Sequence, residues 1–347
     1  MTPELAQVLE SSRRFLPELA LTAGILLVVL VDAFTSGRAR DLLTRWLTVL
    51  ALGTALVLAV GQQGWSGPIF GGMLVVDPTA VFFKALLVGA SLLVLLTFRP
   101  HASREMAGLG LGEFHSLLLC VTLSTLLLAT SNDLAMLYLS LEMVSITSYV
   151  LVAYLKGDRL SNEASLKYIL FGAVSTGAML YGLSLLYGMV GSTGLPAVRA
   201  YLAAGAMGNM VAVYIVAILV VAGLGFKTAA VPFHFWCPDV YQGAATPVTA
   251  FLSVAPKAAG FAIMLRFFFQ GMATGPGWEL AGAMDWPVVL MVVSVLTMTV
   301  GNVAALTQTN MKRLLAYSSI AHAGYVLMGV VAFSATGVRS ILVYLLA

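Results

Sequence analysis

The most constraining feature of this sequence is a series of ten long apolar stretches that together occupy most of its 347 residues. A helix needs about 20 mostly apolar residues to cross a bilayer. Of all residues 60% are hydrophobic and 10% are charged, whereas soluble domains carry about 25% charged residues. The sequence therefore predicts an all-α polytopic membrane protein. The predicted spans lie near residues 17–31, 42–60, 80–98, 114–130, 134–155, 163–190, 210–236, 248–270, 287–306 and 314–333.

The chain ends inside an eleventh apolar stretch, which begins near Val338 and reaches Ala347. This stretch is too short to cross a bilayer, so we expect ten to eleven visible spans and a missing C-terminal part. The first span is followed by no small-residue cleavage site, which predicts a membrane helix rather than a signal peptide. No polar stretch is long enough to form a soluble domain.

The positive charges sort between the two sides of the membrane. Nine of the 18 lysines and arginines, including Arg99 and Arg104, follow spans one, three, five and nine. Five, including Arg266, fall on the opposite side, and four lie inside spans. The positive-inside rule therefore predicts an N-terminus outside the cytoplasm. The dispersed net charge of +3 offers no basic run for nucleic acid, and Cys120 and Cys237 show no disulfide or metal-ligand spacing.

Two ionisable residues lie deep in predicted spans. Glu142 is near the middle of the fifth span, where a charged residue costs roughly 2.5–3.5 kcal/mol and usually marks an ion or proton route. Alternatively, Glu142 has only a structural role, and neighbouring hydroxyl groups form hydrogen bonds with its carboxyl group. Lys227, in the seventh span, precedes Pro232, which should leave the carbonyl of Thr228 without its intrahelical partner. A lysine beside such a broken helix is typical of a transporter site, the alternative being a lysine that snorkels to the surface.

Lys257 repeats this arrangement in the eighth span, because it directly follows Pro256. That proline should free the carbonyl group of Leu252, and small neighbours allow another helix or water to approach the ammonium group. Lys167 and Lys84 are shallower in their spans. Lys167 could either join a proton route or reach the interface, and for Lys84 we expect snorkelling.

Two histidines are candidates for a proton relay. His322 lies within the tenth span among small and hydroxylated neighbours, and the imidazole group titrates near physiological pH. A neutral, hydrogen-bonded histidine is the structural alternative. His234 follows Pro232, where it could gate proton uptake or cap the helix.

These residue types suit proton movement. A lysine in a low-dielectric environment loses affinity for its proton, and a nearby carboxylate restores that affinity. A lysine can therefore load a proton while paired and release it when the pair opens. The sequence contains no nucleotide-binding loop, haem-ligand pair or iron–sulfur cysteine set, so any redox energy must come from partners.

Four segments resemble, in order and spacing, the antiporter-like subunits of respiratory complex I, and specifically the subunit N family of bacterial NADH–quinone oxidoreductases. Together they cover most of residues 115–333. The segments read LEMVSITSYVLVAY, EASLKYILFGAVSTGAMLYGLSLLYG, GFKTAAVPFHFWCPDVYQGAATPVTAFLSVAPKAAGF and GNVAALTQTNMKRLLAYSSIAHAGY.

The resemblance implies an antiporter-like fold of inverted five-helix repeats, each with a broken helix. Residues 1–113 would then hold the first three helices, residues 114–270 the first repeat, and residues 287–347 the start of the second. It also implies fourteen helices, with a further proton-path lysine on a helix beyond this chain. Cys237 replaces a residue that is often threonine, a change that we expect to be neutral.

The resemblance also implies a site and a function. Proton transfer would use Glu142, Lys167, Lys227 and Lys257, in a multi-pass protein of the bacterial plasma (inner) membrane. Other membrane-arm subunits and the bilayer would be its partners. NADH, FMN, iron–sulfur clusters and quinone would bind partner subunits, with no cofactor in this chain. An Mrp-type cation/proton antiporter subunit and a non-conducting structural subunit are the alternatives.

Overall fold

The computed structural model of this protein describes residues 3–98, 106, 110–204, 210–273 and 286–347. Arg99 and Arg104 lie outside the described residues. The described part contains fourteen α-helices and a two-stranded antiparallel hairpin. The helices are α1 (Pro3–Arg14), α2 (Leu16–Phe34), α3 (Gly37–Val60), α4 (Pro78–Thr97), α5 (Gly112–Thr130), α6 (Leu134–Val152), α7 (Arg159–Val190), α8 (Leu195–Ala203), α9 (Met210–Thr228), α10 (Trp236–Gly243), α11 (Thr246–Leu265), α12 (Trp286–Leu306), α13 (Met311–Val331) and α14 (Ala335–Leu346).

Ten of the helices in the described ranges are long and apolar enough to cross a membrane, which confirms the predicted all-α polytopic class. They are α2 to α7, α9, and α11 to α13, with α11 extended by a π-helical segment, Arg266–Met272. The hairpin of β1 (Gly67–Ile69) and β2 (Leu74–Val76) joins α3 to α4. The spans therefore match the apolar stretches of the sequence.

The seventh span is broken where the proline pattern predicts. Helix α9 ends at Thr228, and α10 begins only at Trp236. The indole N–H of Trp236 donates to the carbonyl of Phe226 at 3.0 Å, and the N–H of Val231 donates to Thr297 Oγ1 at 3.0 Å. The Thr297 bond satisfies a backbone N–H in the break, and the Trp236 bond adds to the one that the Phe226 carbonyl accepts from the N–H of Ala229.

The eighth span, in contrast, is not broken at Pro256. Helix α11 continues through this proline to Leu265. The carbonyl group of Leu252, which the proline deprives of its usual donor, accepts a hydrogen bond from the Tyr241 hydroxyl at 3.2 Å. A neighbouring side chain thus replaces the lost intrahelical bond, and the expectation of a second break beside Lys257 is wrong.

The expectation that Lys84 snorkels is also wrong. Its side chain is buried, and its Nζ lies 2.8 Å from Glu18 Oε1 and 3.1 Å from Gln62 Oε1. Glu18 belongs to the first turn of α2 and is fully buried as well. Helix packing supplies the partners, which the local sequence around Lys84 does not reveal.

Arg266 does not lie in a loop. It is 1% exposed, and its guanidinium group pairs with Asp77, at 3.0 Å between Nη2 and Oδ1. Its Nε donates to the carbonyl of Ala129. The residue therefore ties the end of α11 to α4 and α5 rather than contributing a free positive charge to one side of the membrane.

Candidate functional site

Lys227 lies at the last turn of α9, directly before the break. Its side chain is almost fully buried, and Nζ donates to Ser145 Oγ at 3.3 Å. Ser145 in turn donates to the carbonyl of Leu141 on its own helix. The ammonium group thus has a hydroxyl partner inside the protein, and it does not snorkel to the surface.

Glu142 lies one turn before Ser145 on α6 and is half-buried. Its carboxylate interacts electrostatically with Lys227 and lies against the hydroxyl of Tyr138. The buried oxygen Oε1 has no hydrogen-bond partner among the described residues. Glu142 therefore adds a nearby negative charge to the environment of Lys227, whose hydrogen-bond partner is Ser145.

Lys257 lies in the middle of α11 and is 5% exposed. Its Nζ donates to Ser319 Oγ of α13 at 2.6 Å and lies 3.8 Å from Cys237 Sγ. The ring centroid of Tyr241 is 5.4 Å from the same nitrogen. Cys237 thus touches a predicted proton-transfer lysine.

The helices that carry the two deep lysines pack closely. Gly260 lies one turn after Lys257, and a Cβ atom placed there would lie 3.4 Å from Lys227 Cγ and 3.0 Å from Thr228 Cγ2. A small residue at this position lets two membrane helices approach closely. The structure therefore brings the Lys227 and Lys257 segments together across the α9–α11 contact.

Lys167 is held by carboxylates rather than reaching toward lipid. Its Nζ lies 2.7 Å from Glu163 Oε1, one turn earlier on α7, and 2.7 Å from Asp239 Oδ2 of α10. Asp239 also pairs with Arg313 of α13. The lysine side chain is 38% exposed and lines a cleft of about 180 Å³, so it is accessible from outside the chain.

The pKa of Asp239 lies below its ordinary value. Burial raises this pKa, but hydrogen bonds from Lys167 and Arg313, together with their charges, lower it further than burial raises it. Asp239 is therefore ionised at neutral pH and can neutralise either cation. Sequence reasoning missed this residue, although its position in the segment that follows the break is a usable signal.

The two histidines occupy different environments. His234 is buried in the segment between α9 and α10, and its Nδ1 has no hydrogen-bond partner among the described residues. His322 is exposed on α13, and its Nδ1 lies 2.6 Å from the Tyr344 hydroxyl. His322 lies within the tenth span as predicted, and Ser319, one turn earlier, is the α13 residue that contacts Lys257.

Helix α10 contacts two of the three lysines and the backbone next to the third. Asp239 contacts Lys167, while Cys237 and Tyr241 contact Lys257. Trp236 bonds the Phe226 carbonyl beside Lys227 and stacks on Tyr168 with ring centroids 4.4 Å apart. The short helix that follows the break therefore contacts Lys167 and Lys257 directly, and it contacts the backbone next to Lys227.

A polytopic bundle with a broken span, deep lysines and one half-buried glutamate defines a membrane protein of the antiporter-like class. A family model described as "NADH:quinone oxidoreductase/Mrp antiporter, TM" matches residues 131–347. The chain belongs to this family. Within it, the chain is 45% identical to NADH-quinone oxidoreductase subunit N of Anaeromyxobacter sp. (strain Fw109-5), over 99% of this chain and 68% of that protein.

A second relative is also named as a subunit N. NADH-quinone oxidoreductase subunit N 2 of Chloroherpeton thalassium is 44% identical, over 96% of this chain and 65% of that protein. The chain thus spans about two thirds of the length of these relatives. A chain of respiratory complex I from Thermus thermophilus superposes with a TM-score of 0.77 at 33% identity, covering 95% of this chain and 68% of that one. The Mrp complex from Dietzia shares the fold, with a TM-score of 0.76 at 21% identity, covering 95% of this chain and 35% of that one.

Proposed function

We propose that this chain moves protons across a bacterial plasma membrane as the subunit N of an NADH–quinone oxidoreductase. Electron transfer in partner subunits, which would bind NADH, FMN, iron–sulfur clusters and quinone, supplies the energy. The other membrane-arm subunits contact this chain within the bilayer. The N-terminus lies on the periplasmic side. Residues 1–113, 114–270 and 287–347 correspond to the first helices, the first repeat and the start of the second repeat.

The observation that carries this proposal is the burial of two lysines against hydroxyl groups rather than against a neutralising carboxylate. A buried charge is costly unless it is paired, so a lysine with only a hydroxyl partner favours loss of its proton. Lys227 and Lys257 are both in this position, and Glu142 lies close enough to Lys227 to change its charge balance. Such a lysine gains or loses a proton when a nearby charge moves.

The proton route in this proposal begins at the wet cleft of Lys167 and continues inward through Lys257 and Lys227. Helix α10 contacts Lys167 and Lys257 and the backbone next to Lys227, and water supplies the remaining links. Glu142 adjusts the charge of Lys227. His234 lies beside the break and is the better placed histidine for a relay, whereas His322 stays a prediction.

The test is the Lys227→Ala variant in the assembled oxidoreductase, reconstituted into liposomes with NADH and a quinone. Proton uptake into the vesicles is followed with a pH-sensitive dye, and assembly by native electrophoresis. We expect proton transport to fall at least tenfold while assembly is retained. The control is Lys156→Ala, because Lys156 is 80% exposed and lies outside the site.

The alternatives give different results in the same vesicles. Unchanged proton transport in assembled Lys227→Ala complexes would contradict the proposal and support a structural subunit. Transport that requires a sodium gradient would instead support an Mrp-type antiporter. The Glu142→Gln variant adds a second measurement, since removing the negative charge near Lys227 should also slow transport.

A further inference from the structure

Helix α13 begins beside the Lys167 cleft and contacts it through Arg313. The Arg313 guanidinium group pairs with Asp239 and donates to Gln242 Oε1 at 3.2 Å. Gln308, just before the helix, accepts from Arg313 Nε at 3.2 Å. The start of α13 is therefore fixed to α10 through one arginine.

Asp239 is shared between two cations from different parts of the fold. One oxygen, Oδ2, lies 2.7 Å from Lys167 Nζ, and the other, Oδ1, accepts from Arg313. The charged groups that line this cleft are Glu163 and Lys167 of α7, Asp239 of α10 and Arg313 of α13. Glu163 is 59% exposed and Asp239 is 29% exposed. Since water screens an exposed pair more strongly, Asp239 is the stronger partner of Lys167.

The same helix reaches a second lysine of the site. Ser319 lies six residues after Arg313 and accepts from Lys257 Nζ at 2.6 Å. Six residues correspond to about 9 Å along a helix. Lys312, next to Arg313, donates to the carbonyl of Ala244 at 2.9 Å, between α10 and α11. Helix α13 therefore touches the candidate site at two depths.

We infer that α13 controls proton release from Lys167 through Arg313, which competes with that lysine for the charge of Asp239. Asp239 and Arg313 are positioning residues in this scheme. While Arg313 holds Asp239, the carboxylate is partly neutralised and Lys167 gives up its proton more readily. When α13 moves away, the whole negative charge of Asp239 faces Lys167, and the ammonium form is retained. The inference rests on the proposed function, because it assumes that Lys167 carries protons.

A shift of α13 would change both lysine environments together. The Arg313 contact acts on Lys167 through Asp239, and the Ser319 contact acts on Lys257 directly. A rigid helix transmits one displacement to both contacts, since packed elements move as units. Helix α13 is thus the element through which motion elsewhere in a membrane complex reaches the proton route of this chain.

The experiment compares the pH dependence of proton transport in the assembled, reconstituted oxidoreductase. Arg313→Gln leaves Asp239 to Lys167 alone, so we expect the optimum to move about one unit toward higher pH. Asp239→Asn removes the stronger carboxylate and should move the optimum toward lower pH. In the Arg313→Gln, Asp239→Asn double variant, the loss of Arg313 should cause no further shift.

The matched control is Glu163→Gln, which removes the other carboxylate of Lys167 but leaves the Arg313 contact intact. In this background, Arg313→Gln should still move the optimum by about one unit. A shift of equal size in the Asp239→Asn background would overturn the inference, because Arg313 would then act without Asp239. The absence of any shift in the single variant would overturn it as well.

A second comparison applies if Arg313→Gln does not assemble. Asp239→Asn alone should lower the optimum by more than Glu163→Gln does, and an equal or smaller shift would contradict the inference. Lys227→Ala is measured in the same series. Normal transport in Lys227→Ala would mean that the proposed function fails. If Lys227→Ala abolishes transport but Arg313→Gln shifts the pH optimum equally with and without Asp239, only the α13 scheme fails.

Discussion

At the scale of single residues, the buried cations of this protein fall into two kinds. Lys84 and Arg266 each meet a carboxylate, whereas Lys227 and Lys257 each meet a serine hydroxyl. A carboxylate neutralises the cation and fixes helix positions, and breaking such a pair leaves an uncompensated buried charge. A hydroxyl group stabilises the cation less, so the second kind is suited to losing a proton.

The ion pair between Arg266 and Asp77 should make the stability of the fold depend on pH. Burial raises the pKa of Asp77, but the charge and hydrogen bonds of Arg266 bring it below its ordinary value. Since the folded-state pKa is lower than the unfolded one, the pair stabilises the fold above about pH 4 and loses this effect as the pH falls through the lower value. We expect Asp77→Asn to cost about 3 kcal/mol at pH 7, with the difference from the native chain disappearing in acid.

Thermal unfolding of the detergent-solubilised protein between pH 7 and acidic pH measures this difference. The control is Asp158→Asn. Asp77 and Asp158 both accept a backbone N–H at the start of a helix, and asparagine caps a helix as well as aspartate does. Only Asp77 also has a buried arginine partner, so a similar loss in both variants would contradict the prediction.

At the scale of secondary-structure elements, the break between α9 and α10 is the feature that organises the site. Thr297 of α12 accepts from the N–H of Val231, and Trp236 donates a second hydrogen bond to the carbonyl of Phe226, which also accepts from Ala229. An unsatisfied carbonyl group at membrane depth is costly, because no water or lipid group replaces the lost donor. The break is therefore maintained by tertiary hydrogen bonds.

Trp236→Phe tests this role. Phenylalanine keeps an aromatic ring against Tyr168 but removes the indole N–H, and the Phe226 carbonyl keeps its bond from Ala229, so we expect a loss of about 1 kcal/mol in stability and slower proton transport. Thermal unfolding and vesicle transport check the two effects. Trp46→Phe is the matched control, since Trp46 is 61% exposed. If both variants lose stability equally, the hydrogen bond does not maintain the break.

The sequence predicted this element well but not completely. Pro232, five residues after Lys227, correctly indicated where the helix ends, because proline removes a donor wherever it stands in a helix. The same argument failed at Pro256, where Tyr241 supplies the missing hydrogen bond from another helix. Local chemistry identifies a lost bond, but only packing decides whether a neighbour replaces it.

At the scale of the whole molecule, helices α12 and α13 pack closely against each other through glycine contacts. A Cβ atom at Gly301 of α12 would lie 2.6 Å from the backbone nitrogen of Ala321 on α13. Small residues are what allow membrane helices to pack this closely. The position of α13, and with it the Ser319 contact to Lys257, therefore depends on the absence of a side chain at Gly301.

Gly301→Ala should separate these helices, since the nearest atom is backbone and cannot rotate away. We expect a destabilisation of about 1–3 kcal/mol and a fall in proton transport, measured by thermal unfolding and in liposomes. Gly177→Ala is the control, because a Cβ atom there would meet nothing within 4 Å. Equal behaviour of the two variants would show that the close approach of α12 and α13 is unimportant.

The sequence by itself determined the ten spans, the break after Lys227 and the candidate residues Glu142, Lys227 and Lys257. It could do so because bilayer thickness, proline geometry and the cost of a buried charge are all local properties. Only the tertiary structure decided which partner each charge meets. Asp239 bridging Lys167 and Arg313 is the clearest case, because these three side chains come from helices that the sequence places far apart.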